Sequence, residues 1–293
     1  MEKKSKVLVL GSSGMMGHVL TKVLLENGCI VYATDRSITK RKNYFYLDIL
    51  DNPYLLKKII KKVKPKFVIN CIGLLVSECL DNPSKAIKIN SYFPHYVASL
   101  AKESEFIFIH ISTDCVFNGS NGPYLENSIK NETNYYGLTK NLGEVTTYKN
   151  SLTIRTSIIG PEIRKINTGL FNWFLKSGKI VDGYSNVIWS GLTTLELSKF
   201  IFYIIKSKSV FLDYNLIHAT NNIGIDKYNL LMIIKKVFSL NKQINKKFEK
   251  KSNKQLINSL DLSYQFQSYE NMIIELKDWM ILNQNFYQKY KLS

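Results

Sequence analysis

The apolar run Lys6–Leu10, KVLVL, leads directly into Gly11-Ser-Ser-Gly14-Met-Met-Gly17 and then into HVLTKVLLENG, whose apolar residues recur at helical spacing. A short continuous apolar run predicts a parallel strand buried on both faces. Gly28 marks the helix end as a C-cap signal. Strand, glycine turn and helix in that order form the context a dinucleotide-binding turn requires. Gly11 allows the tight turn, Gly14 lets backbone N–H groups approach a pyrophosphate, and Gly17 permits close helix packing. Ser13, Met15 and Met16 complete the segment that would hold the phosphates. The helix N-terminus offers them unpaired donors and a partial positive charge. The spacing is GxxGxxG rather than GxGxxG, and the plainer reading is an ordinary glycine-rich turn.

The next segments repeat the rhythm. Cys29–Thr34 is a second strand ending in Asp35-Arg36. Asp35 lies about 20 residues past the glycines, where a carboxylate binds adenosine ribose hydroxyls. Arg36 beside it suits a 2′-phosphate instead, so NADH against NADPH stays open. Tyr44–Leu47 is a third short strand, with Asp48 and Ile49 placed beside the adenine. A helix over Pro53–Lys64 stops at Pro65, and Phe67–Ile72 is a fourth strand closing at Gly73. Cys71, Ile72 and Gly73 would run along the cofactor ribose, or simply end the strand. A helix spans Pro83–Lys102 and carries Asn90, a substrate-side candidate or a surface residue. Phe106–Ile111, a fifth strand, runs into Ser112-Thr113-Asp114, at the carboxyl end where open α/β sheets bind ligands. Asn118–Tyr124 reads as a surface loop, and Leu152–Thr156 as a sixth strand. Alternating strands and helices with short connections predict a Rossmann-type doubly wound parallel sheet.

Beyond Gly160-Pro161 the rhythm changes. A short aromatic helix over Gly169–Lys176, a strand at Val187–Trp189 and a helix over Thr194–Lys206 are followed by a strand at Leu216–Ala219. Helices over Lys227–Ser239 and near Asn271–Phe286 close the chain. The expected division is a nucleotide-binding domain over 1–162 plus about 191–220. A smaller α/β substrate-binding region takes 163–190 plus about 221–293. Asn172, Trp173 and Trp189 are candidates to line its cleft, although aromatic residues at such spacing are more often core.

Composition narrows the function. The formal charge of +17 comes from 40 basic residues of which only Arg36, Arg41, Arg155 and Arg164 are arginine. Dedicated nucleic-acid readers favour arginine forks and aromatic interleaving, so solvated lysine faces are the better account. Cys29, Cys71, Cys79 and Cys115 are scattered without CxxC spacing and read as reduced thiols of a cytoplasmic protein. No run approaches the roughly 18 apolar residues of a membrane span. The four histidines share no ligand spacing, so no metal site is expected.

Tyr136 and Lys140 in YYGLTKNLGE stand four residues apart and share one helix face. An ammonium there would favour the phenolate and lower the tyrosine pKa toward the useful range.

Taken together, GSSGMMG after the first strand, STDCVF after the fifth and YGLTK on the next helix resemble the extended short-chain dehydrogenase/reductase family. The NCIG turn, GPYLE, RTSIIGPE and SGLTTLELSK point to its dTDP-4-dehydrorhamnose reductase-like, sugar-nucleotide branch. The resemblance covers roughly residues 6 to 235. It implies that Tyr136 is a general acid protonating a sugar keto oxygen, and that Lys140 binds the nicotinamide ribose. Thr113 would hydrogen-bond the same keto oxygen, and Asp114 and Asn90 would lie on the substrate side. The implied cofactor is NADPH or NADH, the substrate a nucleotide-linked 4-keto-6-deoxyhexose, and the pathway surface polysaccharide synthesis. A homodimer is compatible with it. Related 4,6-dehydratases carry an Asp-Glu pair after the threonine. Here Asp114 is followed by Cys115, where reductases of the rhamnose type usually have tyrosine. An epimerase on the same fold and a non-catalytic, reductase-like binding subunit are the alternatives.

Overall fold

The computed structural model describes residues 4–37, 41–164, 169–207 and 213–290; the remainder of the ranges given above lies outside it. Its centre is a seven-stranded parallel sheet. Strands β1 (Lys6–Leu10), β2 (Ile30–Asp35), β3 (Tyr44–Tyr46), β4 (Phe67–Asn70), β5 (Ile107–Ile111) and β6 (Ser151–Arg155) supply six of its members. The seventh, β11 (Leu216–His218), joins the edge beside β6, giving the order β11-β6-β5-β4-β1-β2-β3. Every pairing within it is parallel. The order reverses between β1 and β4, and such a switch point opens a crevice at the carboxyl ends of the strands. This is the doubly wound fold expected from the alternation of elements.

Strand alternation divides the core into two layers. Val7 and Val9 face one way, joining α1 (Met15–Glu26) and α7 (Thr194–Ser207). Leu8 and Leu10 face the other, joining α2 (Leu55–Val63) and a long helix α4 at 83–104. All four side chains are fully buried, and each such burial stabilises by roughly 1.5–3 kcal/mol. Helix α2, LLKKIIKKV, shows why it forms: Leu56, Ile59, Ile60 and Val63 make one apolar stripe, with lysines between. It ends at Lys64 in the left-handed conformation, just before Pro65.

The remaining helices are α3 (Val76–Asp81), α5 (Tyr135–Leu142), α6 (Leu170–Lys176), α8 (Lys227–Val237), α9 (Tyr269–Leu282) and α10 (Gln284–Tyr287). Helix α4 differs from the uninterrupted helix expected: between Pro83–Ala86 and Phe93–Ser104 it widens into π-helical turns over Ile87–Tyr92. Tyr124, expected in a surface loop, is buried and stacks on Phe117 at 4.1 Å.

The second half contributes small sheets. Strand β8 (Ile180–Tyr184) pairs in parallel with β13 (Gln243–Lys247), and β9 (Val187–Trp189) lies between β12 (Ile225–Asp226) and β14 (Ser252–Asn253). A further pair joins β7 (Ile158–Ile159) to β10 (Leu192–Thr193). Helix α9 packs against α8 and also against α7. Met272, Ile273, Leu276, Tyr287 and Tyr290 share one core with Val7 and Val19. The Tyr287 hydroxyl lies 2.7 Å from His18 Nε2, while His18 Nδ1 lies 2.8 Å from the Gly14 carbonyl oxygen. The chain end therefore braces the glycine turn.

Candidate active site

The glycine turn closes over the end of β1 as its residue types demand. Gly11 has φ +80°, a conformation side chains disfavour, and a Cβ there would press on Ile72. A Cβ on Gly17 would run into the Gly11 carbonyl oxygen, so helix and turn touch backbone to backbone. Gly14 is the N-cap of α1, and no side chain caps that end among the described residues. The first-turn donors at Met15, Met16 and Gly17 are thus left to a ligand. These features fit a dinucleotide pyrophosphate.

Around this cradle the predicted residues fall as follows. Asp35 ends β2, with Arg36 exposed beside it. Asp48 accepts from the Leu50 N–H at 3.0 Å, and Ile49 packs with Ile72 at the edge of the core. Cys71 donates its N–H to Leu10 at 3.0 Å, holding the β4 end beside Gly11, and burial pushes its thiol up to about 12. The Ile72 N–H is held by Asn70 at 3.1 Å, and Gly73 follows within reach of Asn90.

The catalytic candidates converge at the end of β5. Thr113 caps a single 3-10 turn, Asp114–Val116: its hydroxyl accepts from the Cys115 N–H at 3.1 Å and donates to Asp114 at 3.1 Å. Helix α5 begins at Asn134, whose side chain accepts from the Gly137 N–H at 2.9 Å. Tyr136 and Lys140 follow on one face. The Lys140 Nζ donates to the Ile111 carbonyl at 2.8 Å, at the strand end that carries Thr113. Burial lowers the Lys140 ammonium to about 8, against the opposing pull of Glu144.

Tyr136 departs from the expectation. Burial raises its phenol above the ordinary value, Cys115 adds to this, and the Thr113 hydroxyl opposes it. The lowering expected from Lys140 is not the governing effect, because that ammonium is turned to the Ile111 carbonyl. A phenol so placed is firmly protonated at neutral pH.

Three substrate-side candidates are scaffold. Asn172 is wholly buried, donates to the Gly160 carbonyl at 3.1 Å and accepts from the Tyr290 hydroxyl. Trp189 is core, its indole N–H bound by Ser157 at 2.8 Å. Asn90 is buried in the π-helical turns, accepts from the Leu74 N–H at 2.8 Å and donates to Thr139 on α5. Each has polar atoms bound inside the protein. Trp173 is half-exposed, and Asp114 stays beside Thr113 with its carboxyl pushed up by burial.

Other residues emerge that the sequence reading passed over. Lys254 lies 3.2 Å from Glu132, and Lys227 stacks over Trp189 at 5.4 Å. Both bring positive charge to bear on Asp114. Glu132 also accepts from the Thr133 and Asn134 N–H groups at the head of α5. At its other end Glu144 pairs with Arg155 at 2.7 Å and accepts from Ser112 at 2.8 Å, all three buried. Among the described residues no cluster of His, Cys, Asp or Glu could hold a metal, and no helix is long and apolar enough to cross a membrane.

The geometry finds its counterpart in known proteins. A sequence profile of the RmlD substrate binding domain matches residues 5–255. The chain belongs to this family. A dTDP-4-dehydrorhamnose reductase of Streptomyces griseus is 33% identical over 139 residues, 47% of this chain and 43% of that protein. Methionine adenosyltransferase 2 subunit beta of Xenopus tropicalis is 28% identical over 166 residues, 55% of this chain and 49% of that protein. The matches thus span about half the length of these curated relatives. Among solved structures, dTDP-4-dehydrorhamnose reductase of Bacillus anthracis in complex with NADP superposes with a TM-score of 0.79. It covers 94% of this chain and 98% of that one at 20% identity, a likeness of fold.

Proposed function

We propose that this protein is an NAD(P)H-dependent sugar-nucleotide reductase acting on the 4-keto group of a nucleotide-linked 6-deoxyhexose, of the dTDP-4-dehydrorhamnose type. The observation that carries the reading is the gathering of Thr113, Tyr136 and Lys140 at the end of β5, across the switch point from an uncapped helix N-terminus. A nicotinamide cofactor, when bound, supplies the hydride. The chain's own groups do the rest. Tyr136, protonated at neutral pH, donates its proton to the keto oxygen, a transfer that runs downhill because an alkoxide is a stronger base than a phenolate. The Thr113 hydroxyl stabilises the charge developing on the same oxygen. Lys140, anchored on Ile111, presents its ammonium to the ribose.

The substrate side is assigned to 163–190 plus about 221–293. Lys227 and Lys254 supply cations there. The setting is cytoplasmic surface-polysaccharide synthesis. The test is a screen of dTDP-, GDP- and UDP-linked keto sugars with both reduced cofactors, followed at the nicotinamide absorbance. Turnover is expected with one of them, and Tyr136→Phe should lower it by about 100-fold or more. No turnover with any would defeat the proposal.

The match to the adenosyltransferase beta subunit favours a second reading, a reductase-like regulatory subunit. The intact Thr113–Tyr136–Lys140 set speaks against it. Dinucleotide binding without turnover, together with a stable protein partner, would establish it instead.

A further inference from the structure

Beyond the end of β2 lies a pocket of about 440 Å³ lined by Ser13, Asp35, Arg36, Ser37, Ile163 and Arg164. Arg164 comes from the segment after β7, far from Asp35 in sequence. Its Nη2 sits 3.0 Å from Asp35 Oδ1 and also donates to the Ser13 hydroxyl. Asp35 Oδ1 further accepts the Ser37 N–H at 3.3 Å. One oxygen of the carboxylate that would accept a ribose diol is therefore already engaged by a guanidinium and a backbone donor.

We infer that Arg164 is a specificity-determining residue that turns this pocket toward a 2′-phosphorylated adenosine, so that NADPH is preferred to NADH. The inference rests on the dinucleotide-site reading above. Asp35 alone would repel a 2′-phosphate and reward a free diol. Paired with Arg164 its charge is offset, and Arg36 adds a further cation at the rim. A 2′-phosphate carries about −1.5 to −2 charges near pH 7, as other phosphate monoesters do, and pairs of its oxygens match guanidinium forks. A diol gains little from two arginines and must compete with one of them for Asp35. Ser13 belongs to the glycine turn, so Arg164 also ties the 2′ position to the phosphate cradle.

Calorimetric titration with adenosine 2′,5′-bisphosphate and with adenosine 5′-monophosphate separates the contributions without turnover. The wild-type protein should bind the bisphosphate at least about tenfold more tightly. In Arg164→Ala that ratio should collapse to within about threefold, with an unchanged far-UV circular dichroism spectrum, while Arg164→Lys keeps part of it. Asp35→Asn should raise the ratio, by removing the repelling charge and weakening the diol contact. An unchanged ratio in Arg164→Ala, or equal binding of both probes by the wild type, overturns the preference and leaves the dinucleotide site standing. Binding of neither probe overturns both.

Discussion

Two helices, α1 and α5, meet the carboxyl ends of the central strands, and they treat their N-termini in opposite ways. Helix α1 begins at Gly14 with no side-chain cap, whereas α5 begins at Asn134, whose carboxamide oxygen accepts the Gly137 N–H. An open N-terminus is an anion site; a filled one is a fixed post for side chains. The contrast extends to what holds each helix. Backbone contact seats α1, since Gly17 lies against Gly11. Buried polar bonds seat α5: Ser91 to the Thr139 carbonyl at 2.8 Å, Lys140 to Ile111, and Glu144 to Arg155. One region is built to meet a ligand with its main chain, the other to aim a phenol and an ammonium.

The largest effect expected is at the foot of α5. Glu144 accepts from Arg155, Ser112 and Lys130, and Arg155 is nearly inaccessible. Burial pushes the Glu144 carboxyl up, but the Arg155 bond and charge prevail and hold it below its ordinary value. Glu144→Ala would leave a buried guanidinium unpaired, a loss of about 3–5 kcal/mol in denaturant unfolding. A loss below about 1 kcal/mol would mean that α5 is seated by packing, as α1 is, and the contrast would fall.

Next comes the open N-terminus itself. Gly14 has φ −73° and ψ 170°, which any residue adopts, so Gly14→Asp can cap α1 from within. The variant should unfold no more easily than the wild type and gain up to about 1 kcal/mol. Its affinity for a dinucleotide should nevertheless fall roughly hundredfold, because a carboxylate takes the donors and repels the phosphates. Retained binding would show that the donors of α1 are not the anion site.

How far each region was legible follows from how it is assembled. The cradle is written in seven consecutive residues, Gly11 to Gly17, and the sheet in contiguous apolar runs. Those features survive reading along the chain. The π-helical turns at Ile87–Tyr92 were not visible, because a widened helix keeps the same apolar faces at either end. Strand β13 has the sequence QINKK, which carries no strand pattern of its own; its strand character comes from pairing with β8. Lys254 and Arg164 reach Glu132 and Ser13 across 122 and 151 positions of chain and carry no local signature, which only the tertiary fold supplies. The surroundings of Asn172 and Trp189 were illegible for the same reason. Their types suited a cleft, and only their tertiary surroundings reveal that Gly160 and Ser157 had already taken their polar atoms.

The ammonium on α5 gives a pH test of its seating. Burial outweighs the attraction of Glu144 and lowers Lys140 to about 8. The direction sets the sign: a depressed lysine is charged below its folded pKa and neutral above it. Heteronuclear NMR of lysine side chains in the free protein should find one group titrating near pH 8, absent in Lys140→Arg. Affinity for the dinucleotide should weaken as pH rises through that value, as the ribose loses a charged donor. A midpoint near the ordinary lysine value of about 10.4 would mean that Nζ stays solvated and is not held on Ile111.

The smallest effect is the most discriminating for the comparison. Asn134→Ala removes the acceptor of the Gly137 N–H and should cost about 1 kcal/mol of stability. Glu132, which accepts from the Thr133 and Asn134 N–H groups and is itself held by Lys254, keeps the entry to the helix in place. Tyr136 should therefore stay aimed, and turnover should change by less than about threefold while the unfolding midpoint drops. A cap that mattered for chemistry would instead depress turnover far more than stability, because Tyr136 sits in the first turn that the cap orders. In that case the filled N-terminus of α5 would be part of the catalytic machinery, as the open one of α1 is part of the binding machinery, and the two ends would differ in ligand but not in kind.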